Sequence, residues 1–279
     1  MSLDFSTEPD LRGLARVVHA LQVVAEPAGI ESFLMGAAAR DLMIRYAHGI
    51  DPSRGTEDVD FAVMVRDWKV YESLRAALIA SGGFSPRPGP AAHRLRHASG
   101  LPLDIVPFGG IEGPDRKFAW PPDYDTVFDC FGVNEAFTAS VRVQLPDGVQ
   151  VSVAPIPALT ILKIAAWQDR KYTHPGRDAP DLLLFLRSYM DCGNLERAAE
   201  QHGDLFVADD FDHAEAGVRL LARDVASLLG KPGIERLLKT LVPEADEAGA
   251  LLLAHHSGRN LEDARRLLEV LCDELAGSM

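Results

Sequence analysis

FLMGAAARDLMIRYAHGIDPSRGTEDVDFAVMV, residues 33–65, is the stretch that decides the fold. It opens as a short apolar strand, turns at Gly36 and continues as an amphipathic helix. A loop follows, and then a second strand carrying Asp58 and Asp60. Side chains two apart on a strand share a face. The two carboxylates therefore point one way, and Val59, Phe61 and Val63 point the other way, into a core. Asp is depleted in strands, so Asp-Val-Asp inside an apolar strand asks for a reason. Divalent metal is the strongest one, because hard cations such as Mg²⁺ take oxygen ligands and share them with substrate phosphates.

Upstream, Leu11, Leu14, Ala15, Val18, Leu21 and Val24 recur at helical spacings over 10–27, and Pro27 and Gly29 close that helix. The spacing then predicts a strand over 31–35, a helix over 37–47 and a loop over 48–57 dense in turn residues. A strand over 58–65 and a helix over 67–81, ending at Gly82-Gly83, complete an α-β-α-β-α order. Downstream, HRLRHASGLPLDIVPF (93–108) reads as two strands meeting near Ser99-Gly100, with Asp104 in the second. His93 and His97, with Arg94 and Arg96 between them, read as the polar face of an edge strand. Residues 108–138, rich in Gly, Pro and Asp, read as irregular, and 141–154 as a hairpin about Pro146-Asp147-Gly148.

Beyond Pro155 the pattern is helical throughout. Helices are expected over 157–171, 177–191, 195–202, 213–229, 233–242, 245–256 and 261–276. Gly230 and Pro232 suit a helix stop and restart, and Asn260 with Asp263 suits an N-cap. The boundary falls near 155, dividing a catalytic domain over 1–154 from a helical domain over 155–279.

Composition narrows the class. At 47% hydrophobic and 25% charged, the 279-residue chain is an ordinary globular one. A net charge of −13 argues against a general nucleic-acid coating protein, which needs a basic footprint. It leaves room for an enzyme that grips one RNA locally. No apolar run is long enough to span a bilayer, and MSLDFSTEPDLRG lacks a signal-peptide pattern. Cys130, Cys192 and Cys272 show no metal or redox spacing and read as buried reduced thiols in a cytoplasmic protein.

If the Asp104 strand lies beside the Asp58/Asp60 strand, three carboxylates converge on one sheet face. Such a set can hold two Mg²⁺ ions that clamp the attacking and leaving oxygens of a nucleotidyl displacement. One Asp alone would read as a solvated sheet face, whereas three on two apolar strands favour metal. Gly36 alone reads as a turn glycine. Ahead of an Asp-x-Asp strand it reads better as a place where backbone approaches phosphate. Arg40, on the following helix, suits a phosphate contact or a surface ion pair about equally.

MGAAARDL, GTEDVDFAV and PLDIVPFGG together resemble the DNA polymerase β-like nucleotidyltransferase superfamily. The later run LKIAAWQDRKYTHPGRDAPDLLLFL is similar to the Lys-x-x-Ala and Arg-Asp-x-x-Asp segment of AbiEii/AbiGii-type toxin nucleotidyltransferases. The resemblance implies an α/β (α+β) nucleotidyltransferase fold, with a mixed, twisted sheet flanked by helices and a helical C-terminal region. It implies an Mg²⁺-dependent enzyme that takes an NTP, moves NMP to an acceptor hydroxyl such as that of tRNA, and can pair with an antitoxin. By position it makes Asp58 and Asp60 the metal pair, and Asp104 the third carboxylate that helps activate the acceptor. Lys163 becomes the lysine near the triphosphate, and Asp178 and Asp181 the later acidic positions. Read from the residues alone, Lys163 either snorkels to solvent or aims into a cleft. Arg170, Lys171, Arg177 and Arg187 make that segment locally basic.

Two departures from the pattern stand out. The turn is Gly36-Ala37 without the usual Ser, so phosphate binding rests on backbone N–H groups and Thr56. The loop 48–57 also lengthens the distance from Gly36 to Asp58. GAAARDLM also resembles the Gly-Gly-x-x-Arg-Asp-Leu motif of CCA-adding enzymes, whose later motifs are missing here. A small-molecule nucleotidyltransferase and a non-catalytic nucleotide-binding protein of the same fold are the other readings.

Overall fold

The structure, a computed structural model, describes residues 3–53, 55, 58–87, 93–207, 211–258 and 260–279. It divides into two compact units, Met1–Leu42 with Gly55–Pro155, and Met43–Arg54 with Ile156–Met279.

The first unit is built on strands β1 (Leu3–Asp4), β2 (Ser32–Met35), β3 (Val59–Val65), β4 (Phe84–Pro86), β5 (Arg94–His97), β6 (Pro102–Gly109), β7 (Lys117–Ala119), β8 (Val127–Asp129), β9 (Val141–Gln144) and β10 (Gln150–Val153). Eight of them form one mixed sheet in the order β1-β9-β10-β2-β3-β6-β5-β4, while β7 and β8 pair separately. Its helices are α1 (Arg12–Ala25), α2 (Gly36–Arg40), α3 (Trp68–Ala80) and α4 (Val133–Ala139).

The middle of the sheet is where the apolar runs are densest. In β6 the residues from Leu103 to Phe108 are all buried, as expected of a strand covered on both faces. β3 lies parallel to β6, in a register that runs from Val59↔Leu103 to Val65↔Gly109. β2 lies antiparallel on its other side, with Met35 opposite Asp60. A slip of one residue would turn every side chain of β3 to the other face, and the fully buried Phe61 and Val63 forbid it. Phe33 of β2, Phe108 of β6 and Phe137 of α4 meet with ring centroids 5.6–5.9 Å apart. That contact seats α4 on the sheet. α1 buries Leu14, Ala15, Val18 and Leu21 of the stripe legible in its sequence, with Ala25 buried in place of the half-buried Val24, and packs beside α3.

The second unit is helical: α5 (Ile156–Arg170), α6 (Ala179–Ser188), α7 (Leu195–Gln201), α8 (His213–Leu228), α9 (Lys231–Ala245), α10 (Leu252–His255) and α11 (Leu261–Gly277). Trp167, Phe185, Leu221, Leu241 and Leu271 are fully buried and form its core. The Asp212 side chain caps α8 by accepting from Glu215 N, and Asn260 caps α11 by accepting from Glu262 N and Asp263 N. Cys130, Cys192 and Cys272 are free and buried.

Several expected boundaries shift. The helix expected over 37–47 is α2 followed by a π-helical stretch, Asp41–Tyr46. The expected irregular segment 108–138 contains β7, β8 and α4, held by Phe118, Phe128 and Phe137. The helix expected over 245–256 shrinks to α10. Leu251 has φ +49°, and a Cβ on Gly249 would lie 2.3 Å from the Pro243 carbonyl, so the chain turns sharply there. The expected edge strand β5 is covered by β4. Among the described residues no helix is long and apolar enough to cross a membrane.

Candidate active site

Asp60 on β3 and Asp104 on β6 are directly paired residues of adjacent parallel strands. Paired residues share a face, and Asp58, two residues before Asp60, joins them. Each of the three offers a carboxylate oxygen within 4.8 Å of the others. Asp104 is buried, and Asp58 and Asp60 are half-buried. Carboxylates this close repel in low dielectric, so the arrangement is favourable only with positive charge nearby. The donor set is all oxygen, converging and partly desolvated, which fits a hard divalent cation.

Gly36 is bound into this geometry. Its φ is +69°, and a Cβ placed there would lie 2.0 Å from Oδ2 of Asp60. The strand-to-helix turn and the seat of the Asp60 carboxylate therefore both require glycine at one position. Ala37 is buried in the first turn of α2. Arg40 is completely buried, its Nε and Nη2 donating to Oδ1 of Asp41 at 2.9 and 2.6 Å. That pairing directs the guanidinium within the fold. Thr56 lies outside the described residues.

Two further side chains reach the carboxylates. Arg94 Nε lies 3.3 Å from Asp104 Oδ2, and His93 Nε2 lies 4.0 Å from the same oxygen. Arg94 stands directly opposite Asp104 across the β5–β6 pair. The His93 ring packs on Trp120 at 5.0 Å, within an aromatic cluster that includes Trp68 and Phe118. Burial, with Arg94 adding to it, pushes the His93 imidazole down to about 4. The HRLRH sequence carries the signal for both residues, but finding them needs the hairpin register that sets 94 against 104.

Lys163, Asp178 and Asp181 come together in the second unit. Lys163 Nζ on α5 lies 2.6 Å from Asp181 Oδ2 and 3.4 Å from Asp178 Oδ1. Arg170 closes the network by donating through Nε and Nη2 to both oxygens of Asp178, at 2.6 and 2.7 Å. Both aspartates are essentially inaccessible to solvent. These ion pairs, with both aspartates and Lys163 buried and Arg170 partly exposed, tie α5 to the start of α6.

A mixed sheet with flanking helices and Asp58, Asp60 and Asp104 side by side at its centre is the framework of a nucleotidyltransferase. The chain belongs to the nucleotidyl transferase AbiEii toxin family, type IV toxin–antitoxin system, whose family model matches residues 32–267. No curated protein matches it. Solved structures similar to it include an antigenic nucleotidyltransferase-like protein from Paracoccidioides brasiliensis, 20% identical, covering 69% of this chain and 89% of that one at a TM-score of 0.40. ANT(2″)-Ia in complex with adenylyl-2″-tobramycin is 16% identical, covering 68% and 92% at a TM-score of 0.38. A tRNA nucleotidyltransferase complexed with a primer tRNA and an incoming ATP analog is 16% identical, covering 90% and 83% at a TM-score of 0.24. These are distant likenesses.

Proposed function

We propose that the chain is an Mg²⁺-dependent nucleotidyltransferase that moves NMP from an NTP to a hydroxyl of an RNA acceptor, tRNA foremost, and that it acts as the toxin of a toxin–antitoxin pair. The observation that carries the catalytic part is the convergence of Asp58, Asp60 and Asp104 within 4.8 Å. Asp58 and Asp60 would hold both cations and Asp104 one of them. Bound there, Mg²⁺ would supply charge stabilisation for the triphosphate and its leaving group.

The chain's own residues do the rest. Gly36 keeps its α-carbon clear so that Asp60 stays in place. Asp104 takes the proton from the acceptor hydroxyl. The hydroxyl oxygen bonds to the α-phosphorus, the bond from that phosphorus to the bridging oxygen breaks, and pyrophosphate leaves with the electron pair. Such transfers depend on positioning and electrostatics more than on covalent help from the protein. For Lys163, Asp178 and Asp181, the ion pairs support a clamp between α5 and α6.

The test of the acceptor is transfer of label from each α-labelled NTP in the presence of Mg²⁺ and total cellular RNA. Label in RNA with the native protein, and none with Asp58→Ala/Asp60→Ala protein, is the expected result and identifies the nucleotide. Label found only in small molecules would keep the chemistry and overturn the RNA acceptor. Relief of growth arrest by a neighbouring gene product would test the toxin role separately.

A further inference from the structure

The three carboxylates are served by a positive charge from a strand that no site motif includes. Arg94 on β5 is the register partner of Asp104 on β6, and its Nε lies 3.3 Å from Asp104 Oδ2. Asp104 is buried, whereas Arg94 is about a third exposed, at 37% of its side chain. The contact is electrostatic: Arg94 Nε is buried and makes no hydrogen bond within the described residues. A buried guanidinium N–H without a hydrogen bond is costly, so the pair is held mainly by charge. A cation arriving at the carboxylate can exchange with a contact of this kind. The strand that carries Arg94 is itself well held. β4 covers β5 on its outer side, and His93, next in sequence, packs against Trp120, which in turn packs on Trp68 and Phe118.

We propose that Arg94 is a positioning residue with two opposed effects on the carboxylate site. It holds Asp104 in place from the neighbouring strand, and it competes with a divalent cation for the Asp104 carboxylate. The guanidinium thus stands in for the cation when none is bound, offsetting part of the threefold negative charge. It also sets how much cation is needed to engage Asp104. This inference rests on the reading of Asp58, Asp60 and Asp104 as the metal-holding set.

Competition and simple structural support predict opposite signs. Removing a unit positive charge about 3–4 Å from a ligand strengthens cation binding, by a factor discounted here for partial exposure. Loosening the Asp104 side chain slows transfer.

The experiment is Mn²⁺ binding by electron paramagnetic resonance on the full chain without nucleotide, together with steady-state turnover. It compares native, Arg94→Gln, Arg94→Lys and Asp58→Ala/Asp60→Ala proteins. Arg94→Gln should bind Mn²⁺ about threefold tighter or more, with kcat falling and KM for NTP nearly constant. Arg94→Lys keeps the charge but lacks the planar fork, so it should return Mn²⁺ affinity to native while kcat recovers only in part. Unchanged affinity and unchanged kcat in Arg94→Gln would overturn the proposal and leave a surface ion pair. Weaker Mn²⁺ binding in Arg94→Gln, with an unchanged thermal transition, would overturn the competition. Native protein that binds Mn²⁺ no better than the double variant would instead overturn the metal reading on which the proposal stands.

Discussion

Gly36 is the residue on which the site depends most sharply. Added methyl bulk meets Asp60 Oδ2 at 2.0 Å, and the backbone there has φ +69°. Gly36→Ala is expected to cost about 1–2 kcal/mol for the left-handed backbone and to displace the Asp60 carboxylate as well. Thermal denaturation should show a modest loss, and Mn²⁺ affinity a large one; an unchanged Mn²⁺ affinity would mean that Asp60 moves freely. Lys163 presents the opposite case. It sits between Asp178 and Asp181, both buried, so Lys163→Ala removes one cation from the cluster while Arg170 still holds Asp178. Breaking a buried pair from one side costs at most about 3–5 kcal/mol, and with Arg170 still in place urea unfolding should register a loss below that range. A variant as stable as native but unable to bind NTP would show that Lys163 serves the nucleotide and not the fold.

At the scale of elements, the β2–β3–β6 core sets the carboxylates side by side, and Phe108 anchors it between Phe33 and Phe137. Phe108→Ala removes a fully buried ring and should destabilise by about 3–5 kcal/mol, seen as a lower denaturation midpoint with an unchanged m-value. The alternation in DVDFAVMV made β3 legible, because one face must be apolar and the other carries Asp58 and Asp60. The run LDIVPF likewise marked β6, and the parallel register that sets Asp60 against Asp104 then placed the third carboxylate. Arg94 and His93 were harder, because their importance comes from strand pairing and not from their own pattern. A polar strand reads the same whether its charges face water or a buried carboxylate. The α4 helix was hidden in a Gly- and Pro-rich segment for a related reason. Its stability comes from Phe137 packing on Phe33 and Phe108, a tertiary contact that local propensity does not record.

For the whole molecule, the three cysteines offer a check on packing in both units. Burial pushes the Cys192 and Cys272 thiols up to about 12, and Cys130 upward as well. Their folded pKa values lie above the unfolded ones, so the stability they contribute is fully present below about pH 9. It is lost as pH rises from there towards 12. All three should resist alkylation at pH 8 in the native protein and react together on unfolding, followed by mass spectrometry. Rapid native-state labelling of any one would show that its surroundings open. The most direct test of the account is pyrophosphate release from NTP in the presence of acceptor RNA, as Mg²⁺ is titrated, for native and Asp60→Asn proteins. Asp60→Asn keeps the shape that packs on Gly36 and removes one charge from the triad. The account predicts Mg²⁺-dependent release by the native enzyme and a loss of at least about a hundredfold in the variant, in line with removal of a principal electrostatic group from an active site. Equal release by both proteins would contradict it.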